Sequence, residues 1–543
     1  MTGDIGSSVS DSFVVSSENL EPAASDFQPE LGPIVLRQVS NLLEVSWDGG
    51  PLPQEVLEII DGELSYFFMR YLYGRDAYDP ITGSYQPVCE ERRSLYQILP
   101  GGTVACFSGY RERLERTFRS LGFAVRFFDE RPAIEELAPD RADRYRFDPS
   151  YALRYSSLLP HQIEVLRLFG PYENGLFELP TGTGKTYLLS AICLAFRKAR
   201  IHVISEGIPI LRRIVAALTH FLPNVGYVGE GKADFQRVTV ISSDSLHRVA
   251  EGFHDIHSER AADIVLFDEV HRAATPSVLS YLARYENCRL YGFSASVDKR
   301  PDNAWQELEG IFGPIRYRMP YQRAVDLRLV VPIRVQWIPM VFSMPFRSFR
   351  QQSVKDRYYI WANGERNRRI ASYVRSRFSD DVQVLIMVST IEHALSLKAL
   401  LPEYEVCYGA VLPDPAVLKR LRRRGILDQV YIGEMTPERR DALLQRFASG
   451  VIKKVIATDV WSTGVDFPNL QVLVRADGRA SPVLDIQVPG RVSRLGSGKE
   501  YGLIVDCWDD FHYTYRRRSQ ERWKSYVDQG WEVDNPVRSS RPR

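Results

Sequence analysis

The chain is short of lysine. Of its 69 basic residues, eleven are lysines and 58 are arginines, and the first lysine in the sequence is Lys185. Arginine suits two-pronged contacts to phosphate, although a GC-rich genome would give the same bias and carries equal weight. Net charge is nearly absent too, at +1, so the total argues neither for nor against a polyanionic partner. No apolar run approaches the roughly 18 residues that span a bilayer, so neither a transmembrane helix nor a membrane partner is expected. The six cysteines, Cys89, Cys106, Cys193, Cys288, Cys407 and Cys507, are scattered without a CxxC pair. That spacing disfavours a zinc site and fits reduced thiols in a cytoplasmic protein. The first 33 residues hold six acidic and no basic side chains and show no secretory leader pattern. Residues 1–33 are expected to be a disordered acidic tail, with binding of a protein partner as the less favoured alternative. The remainder, in a chain with 25% charged and 44% hydrophobic residues, has an ordinary globular composition, long enough for about three domains.

What is present centres on Leu179-Pro180-Thr181-Gly182-Thr183-Gly184-Lys185-Thr186. A short apolar stretch precedes it and an apolar, helix-like run, 187–196, follows. Strand, glycine turn and helix form the context a phosphate loop requires. Gly182 and Gly184 let several backbone N–H groups converge on one anion, and the helix adds its positive end. Thr181 and Thr183 line the loop, Lys185 is placed to reach the β- and γ-phosphates, and the Thr186 hydroxyl is placed to ligate Mg²⁺. ATP and Mg²⁺ are therefore the expected cofactors. Leu179 stands where the GxxxxGK[ST] pattern has its first glycine; a chance glycine-rich turn is the alternative, disfavoured by the Lys-Thr pair and the flanking elements. About twenty residues upstream, Gln162 offers a two-faced amide suited to an adenine edge.

Around this loop the chain alternates strand and helix. Before it, strands are expected over 34–39, 42–47, 92–99 and 124–128, with a helix over 110–121 that carries Arg111, Arg113, Arg116 and Arg119. A solvated face is favoured for these arginines over contact with a nucleic-acid backbone. Residues 132–149, charged and proline-containing, read as a linker. After the loop, strands are expected at 201–205 and 238–242. An apolar strand from Ala262 then runs into Asp268-Glu269-Val270-His271. Acids at the tip of a buried parallel strand lie at the crevice of an α/β sheet, where Asp268 can hold Mg²⁺ and Glu269 can orient and deprotonate an attacking water. The next strand, 290–296, ends in Ser294 and Ser296, hydroxyls that can bond the acidic turn and, with His271, couple nucleotide state to domain position; a plain strand cap is the alternative.

GTGKT, DEVH and SAS in this order and spacing resemble a superfamily 2 helicase of the DExH type. The resemblance implies an α/β fold with two tandem RecA-like domains, parallel sheets flanked by helices with ATP in the cleft between them, and a small N-terminal α/β accessory domain. The expected organisation is an accessory domain at 34–148, with DNA binding as one role open to it. An ATP-binding helicase domain follows at 149–330, a second helicase domain at 331–512, and a basic C-terminal tail at 513–543. By the resemblance, Ser389 and Thr458 touch nucleic acid, while Gly464, Asp466 and Gln487 face the nucleotide. The sequence from Gln487 to Arg494 supplies QxxGRxxR, whose Arg491 and Arg494 come from the opposite lobe onto the γ-phosphate. Three residues apart, the two arginines would share a face of a helix. Trp461 reads as a packing residue before a stacking one. The basic run Lys419 to Arg424 is equally open to nucleic-acid contact and to a solvated helix face, and the basic, aromatic segment after Phe511 to nucleic-acid contact and to helix packing on the second lobe.

Within the superfamily, the pattern is similar to the UvsW group of phage recombination helicases, with the XPB and RecG groups further off. The features are Ser94-Leu95-Tyr96 and the Gly101-Gly102 turn, Val331-Pro332 following Phe312-Gly313-Pro314, and Arg366-Asn367 ahead of the second lobe. Ser205-Glu206-Gly207-Ile208-Pro209 departs from the usual Pro-Thr of motif Ia. The expectation is a monomeric, cytoplasmic ATP-dependent DNA helicase or translocase, at the nucleoid or in a phage's host, acting on duplex, branched or single-stranded DNA. An RNA helicase and an ATP-switched clamp without unwinding activity are the alternatives.

Overall fold

In the computed structural model of the chain, the described residues are 32–536 apart from 49, 72–87, 132–140, 250–259, 287, 299, 301, 462–466, 482–484, 487–488 and 497. The expected acidic tail thus lies outside the described residues up to position 31, as does the end of the chain from 537. The N-terminal part contributes β1 (Ile34–Val39), β2 (Leu42–Trp47), β3 (Ser65–Tyr71), β4 (Val88–Ser94), β5 (Tyr96–Ile98), β6 (Val104–Phe107) and β7 (Val125–Asp129). Five of them form one sheet, β5-β6-β2-β1-β7, while β3 and β4 pair separately. The single strand expected over 92–99 is therefore two strands in two ladders. Leu95 breaks it by donating its N–H to Leu64 O (2.7 Å) and packing against the core under the sheet.

The phosphate loop belongs to a second sheet, built from β8 (Gly175–Glu178), β9 (Ile201–Ser205), β10 (Gly226–Gly229), β11 (Lys232–Asp234), β12 (Val238–Ser242), β13 (Ile264–Asp268), β14 (Arg289–Ser294) and β15 (Ile315–Arg318). Its order is β11-β10-β12-β9-β13-β14-β8-β15, parallel except for the β10–β11 pair. Strands β9, β12 and β13 are buried along their whole length, the pattern of a sheet covered on both faces. The helix Lys185–Ala195 is buried at every position from Leu188 onward, as its all-round apolar character requires. A third sheet holds β16 (Ile333–Pro339), β17 (Val384–Met387), β18 (Glu405–Cys407), β19 (Lys454–Ala457), β20 (Val472–Arg475), β21 (Gly502–Trp508) and β22 (Glu532–Val533). Its order is β18-β19-β17-β20-β21-β16-β22, parallel throughout. No helix among the described residues is long and apolar enough to cross a membrane.

The N-terminal sheet is fastened to the first lobe. A Cβ on Gly109 would fall onto the backbone oxygens of Glu309 and Gly310, so the two backbones touch where both residues are glycines. Arg316 holds Glu112 with two bonds of 2.6 and 2.8 Å, Arg113 pairs with Glu309, and Tyr110 Oη donates to Gln306 O (2.9 Å). Arg113 on the helix Arg111–Ser120 is thus an interface residue, not part of a solvated face. A cleft of about 650 Å³, lined by residues such as Tyr96, Phe107, Tyr110 and Leu279, lies in this seam, away from the phosphate loop.

The two basic segments differ: the one after Phe511 packs, and the run 419–424 stays largely exposed. The helix Tyr513–Asp528 buries Tyr515, Ser519, Arg522 and Tyr526 on the second lobe. There Arg522, with Arg366 and Arg475, enters a buried network with Asp506, Asp509, Asp477 and Asp485. In the basic run, Arg420 and Arg424 converge on the buried carboxylate of Glu392, at 2.9 and 3.7 Å, together with Arg357 at 3.2 Å. Lys419, Arg422 and Arg423 stay exposed. Within the expected linker, the described part packs: Tyr145 joins the first lobe's core, and Asp148 caps the helix Pro149–Tyr155.

Candidate active site

The loop between β8 and the helix Lys185–Ala195 turns through two left-handed glycines, Gly182 (φ +101°) and Gly184 (φ +82°). In that region a Cβ is strained and glycine is free, so the N–H groups can be turned inward. Lys185 Nζ donates to Leu179 O (3.2 Å), which holds the ammonium across the loop, and Thr183 Oγ1 donates to Pro180 O (2.9 Å). Thr181 and Thr186 are half-buried at the loop's two ends. Gln162 takes a different place from the one expected. Its Oε1 accepts the Leu159 N–H (2.9 Å) and its Nε2 donates to the carbonyls of Thr183 and Gly184 (3.2 Å each). The amide therefore props the loop from behind instead of offering two open faces to a base edge. His161, which sequence reasoning passed over, does the same through Nε2 to Thr183 O (2.8 Å).

The acidic turn sits at the tip of β13. Asp268 is buried, and its Oδ1 accepts the Glu269 N–H (3.1 Å). Glu269 has φ +54°, a strained conformation for a residue with a Cβ, of the kind that concentrates at functional sites. Burial, reinforced by the Glu269 charge, pushes the Asp268 carboxyl above the usual carboxylate range, against the pull of Lys185. Glu269 Oε2 is buried, accepts no hydrogen bond among the described residues, and lies 3.5 Å from His271 Nδ1. Burial holds His271 down to about 4, so the ring is neutral near pH 7. Ser294 Oγ accepts the Ser296 N–H (3.0 Å), donates to Ser296 O (3.1 Å) and meets His271 Nδ1 at 2.9 Å. Ser294 Oγ and His271 Nδ1 share a hydrogen bond whose donor follows the ring's tautomer. Acidic turn and SAS strand are thus one hydrogen-bonded unit, built through Ser294 and the Ser296 backbone; the Ser296 hydroxyl itself has no partner among the described residues.

Whether these residues suit Mg²⁺ is a matter of donor chemistry. Mg²⁺ prefers one or two protein oxygens and completes its shell with phosphate and water. A buried carboxylate at Asp268 and a hydroxyl at Thr186 supply hard oxygens of that kind. No cluster of three or more His, Cys, Asp or Glu fit for a metal occurs among the described residues. The residues present fit the ion.

Across the cleft, the second lobe touches the loop. A Cβ on Gly182 would lie 3.5 Å from both Cδ and Nη1 of Arg494, and one on Gly490 would lie 3.3 Å from Thr181 Cβ. Arg491 is buried beside them. Within the second lobe the turn is held by Val331 N–H to Ser493 O (2.7 Å) and by Ser493 Oγ to Gly490 O (2.6 Å). Among the described residues Pro489–Arg491 is a single 3-10 turn and Arg494 lies beyond it, so the two arginines do not share an α-helical face. At the carboxyl ends of neighbouring strands β17 and β19 lie Ser389, whose Oγ donates to Asp477 O (3.2 Å), and buried Thr458, whose N–H donates to Cys407 O (3.0 Å). Trp461 packs between Phe447 and Phe467 at 5.4 and 5.2 Å, as its packing reading anticipates. Gly464, Asp466 and Gln487 lie outside the described residues.

Comparison with known proteins follows the same division. Residues 156–299 match the family of type III restriction enzyme res subunits, and residues 365–496 match the helicase conserved C-terminal domain. A chain from a Sulfolobus islandicus filamentous virus is 25% identical over 359 residues, 61% of this chain and 60% of that one. The DNA 3'-5' translocase XPB2 of Sulfurisphaera tokodaii is 20% identical over 381 residues, 67% of this chain and 84% of its own. The ATP-dependent DNA helicase uvsW of Enterobacteria phage T4 is 24% identical over 274 residues, 49% of each chain. The crystal structure of T4 UvsW aligns over 92% of this chain and 98% of that one, at 15% identity and a TM-score of 0.37.

Proposed function

Because the chain belongs to the superfamily 2 helicases, with two RecA-like domains and a UvsW-like pattern, we propose that it is an ATP-driven DNA translocase that remodels duplex or branched DNA, forks and four-way junctions among them. In this reading 149–330 and 331–512 are the motor domains and 34–148 is an accessory domain that moves with the first lobe and extends its grip on DNA. Lys185 and the loop N–H groups hold the triphosphate tail. Thr186 and Asp268 would hold Mg²⁺, which when bound would neutralise phosphate charge. Glu269, with an unengaged carboxylate oxygen, orients the attacking water and takes its proton. Arg491 and Arg494 stabilise the charge that develops on the transferring phosphoryl group. Gly464, Asp466 and Gln487 complete the nucleotide's surroundings. His271 and Ser294 tie the acidic turn to the SAS strand, so a change at the phosphate is felt at the lobe interface, and Ser389 and Thr458 ride on one DNA strand. The protein works as a monomer in the cytoplasm.

The approach of Arg494 to Gly182 from the opposite lobe carries this reading, since it brings both halves of a hydrolytic site to one loop. The test is ATPase activity titrated with single-stranded, duplex, forked and four-way DNA and with RNA. Stimulation chiefly by duplex or branched DNA is expected. Stimulation by RNA alone would turn the assignment to an RNA helicase, and binding without displacement of a strand would leave an ATP-switched clamp.

A further inference from the structure

One group of exposed rings on the second lobe takes no part in the nucleotide site. Phe346 is 72% exposed and Tyr513 is 69% exposed. His512 links them: its ring lies within 1° of parallel to Phe346 at a centroid distance of 5.9 Å, and stacks on Tyr513 at 4.6 Å. Cations border the rings. Lys355 Nζ sits 5.3 Å from the Tyr513 ring centre, and Arg347 and Arg350 are exposed on the Phe346 segment without an ion pair among the described residues. His512 provides an independent indication. The ring is buried, and its Nδ1 accepts the Thr514 N–H (3.2 Å), which leaves the hydrogen on Nε2. That Nε2–H is buried with no hydrogen-bond partner among the described residues. An unanswered donor beside two open ring faces, in a positive surround, matches a polar heteroaromatic ring carried on a polyanion.

The location is consistent with this ligand. Ser389 Oγ donates to Asp477 O (3.2 Å), and the adjacent Gly478 packs on Ile360, whose Cδ1 would lie 3.0 Å from a Cβ there. Ile360 belongs to the π-helical turn Arg357–Trp361, together with Tyr359, which meets His512 at 4.4 Å. Such turns concentrate at functional sites. The rings are thus mechanically joined to the strand tip assigned to the tracked strand.

We propose that Phe346 and Tyr513, bridged by the buried His512 ring, form a stacking platform for unpaired bases of single-stranded DNA, with Arg347, Arg350 and Lys355 on its phosphates. This rests on the DNA-translocase reading above. The test uses full-length protein and fluorescence anisotropy on oligothymidine of about 20 nucleotides and on the same strand with abasic sites. The double variant Phe346→Ala/Tyr513→Ala should bind the normal strand roughly 5- to 150-fold more weakly for each stack lost, and should match wild type on the abasic strand. Phe346→Trp should restore binding if its thermal midpoint is that of wild type. Arg350→Glu should weaken both strands and steepen no preference between them. Equal binding of the normal strand by wild type and the double variant would overturn the platform, as would an equal deficit on the abasic strand. Duplex-stimulated ATPase in the wild type separates the two levels. If it is present while the ring variants bind normally, the platform alone fails; if it is absent, the translocase reading fails and the platform loses its basis.

Discussion

Replacing Arg494 with alanine removes the guanidinium that the second lobe lays against the phosphate loop. Its position is fixed by Gly182, where a Cβ would sit 3.5 Å from Nη1. A cation delivered this way to a transferring phosphoryl group contributes about 10³–10⁵ in rate, or about 4–7 kcal/mol of barrier at roughly 1.36 kcal/mol per decade. Arg491 stays buried in the same turn and Lys185 keeps its place on the loop, so the loss should fall near the lower limit, about 10³ in kcat. Arg494→Lys should recover little of it, because an ammonium lacks the planar fork of a guanidinium. The assay is steady-state ATPase at saturating ATP and DNA, with binding of a fluorescent ATP analogue measured separately. Nucleotide affinity should change far less than kcat, the signature of an interaction made mainly in the transition state. A kcat within about threefold of wild type would refute the reasoning.

Two further outcomes test the framework around the site. Burial holds His202 down to about 3, beside Tyr285 Oη at 2.8 Å, while the unfolded chain takes up a proton below about 6.5. The stability tied to its neutral ring is complete above that pH and is lost as pH falls toward 3, by up to about 4–5 kcal/mol. Urea unfolding across this range should show a shallower pH dependence in His202→Gln, and an unchanged slope would count against it. Gly109→Val should prise the N-terminal sheet from the first lobe, because its Cβ would meet the backbone of Glu309 and Gly310. Limited proteolysis should then release an N-terminal fragment faster, with the ATPase motifs left in one resistant piece; identical digestion patterns would contradict the close seam.

Much of this was legible from the sequence because parallel-sheet lobes write themselves as apolar runs. The strands carrying the phosphate loop, Asp268 and Ser294 are buried along nearly their whole length, so their tips, where the chemistry lies, stand out as the first polar residues. The α/β alternation was legible for the same reason, while the two RecA-like domains followed from the resemblance carried by the motifs. Gln162 was misplaced because its partners are backbone carbonyls of Thr183 and Gly184, and main-chain acceptors leave no trace in residue identity. The strand over 92–99 was misread because alternation continues through Leu95 although the ladder partner changes there. The role of Arg113 at an interface was invisible, since an arginine reads alike whether its carboxylate is water-exposed or, like Glu309, on a helix of the neighbouring lobe. Sequence did point to a choice for the segment after Phe511, and burial of Arg522 and Tyr526 favours packing for that helix.

The most direct measurement is displacement of a third strand from triplex DNA by the full-length protein, wild type against Glu269→Gln and Lys185→Ala. Two lobes sharing one triphosphate predict ATP-dependent displacement by wild type and none by either variant, with duplex binding retained in both. Displacement by Glu269→Gln at the wild-type rate, or rapid ATP hydrolysis by wild type on duplex DNA with the third strand left in place, would contradict it.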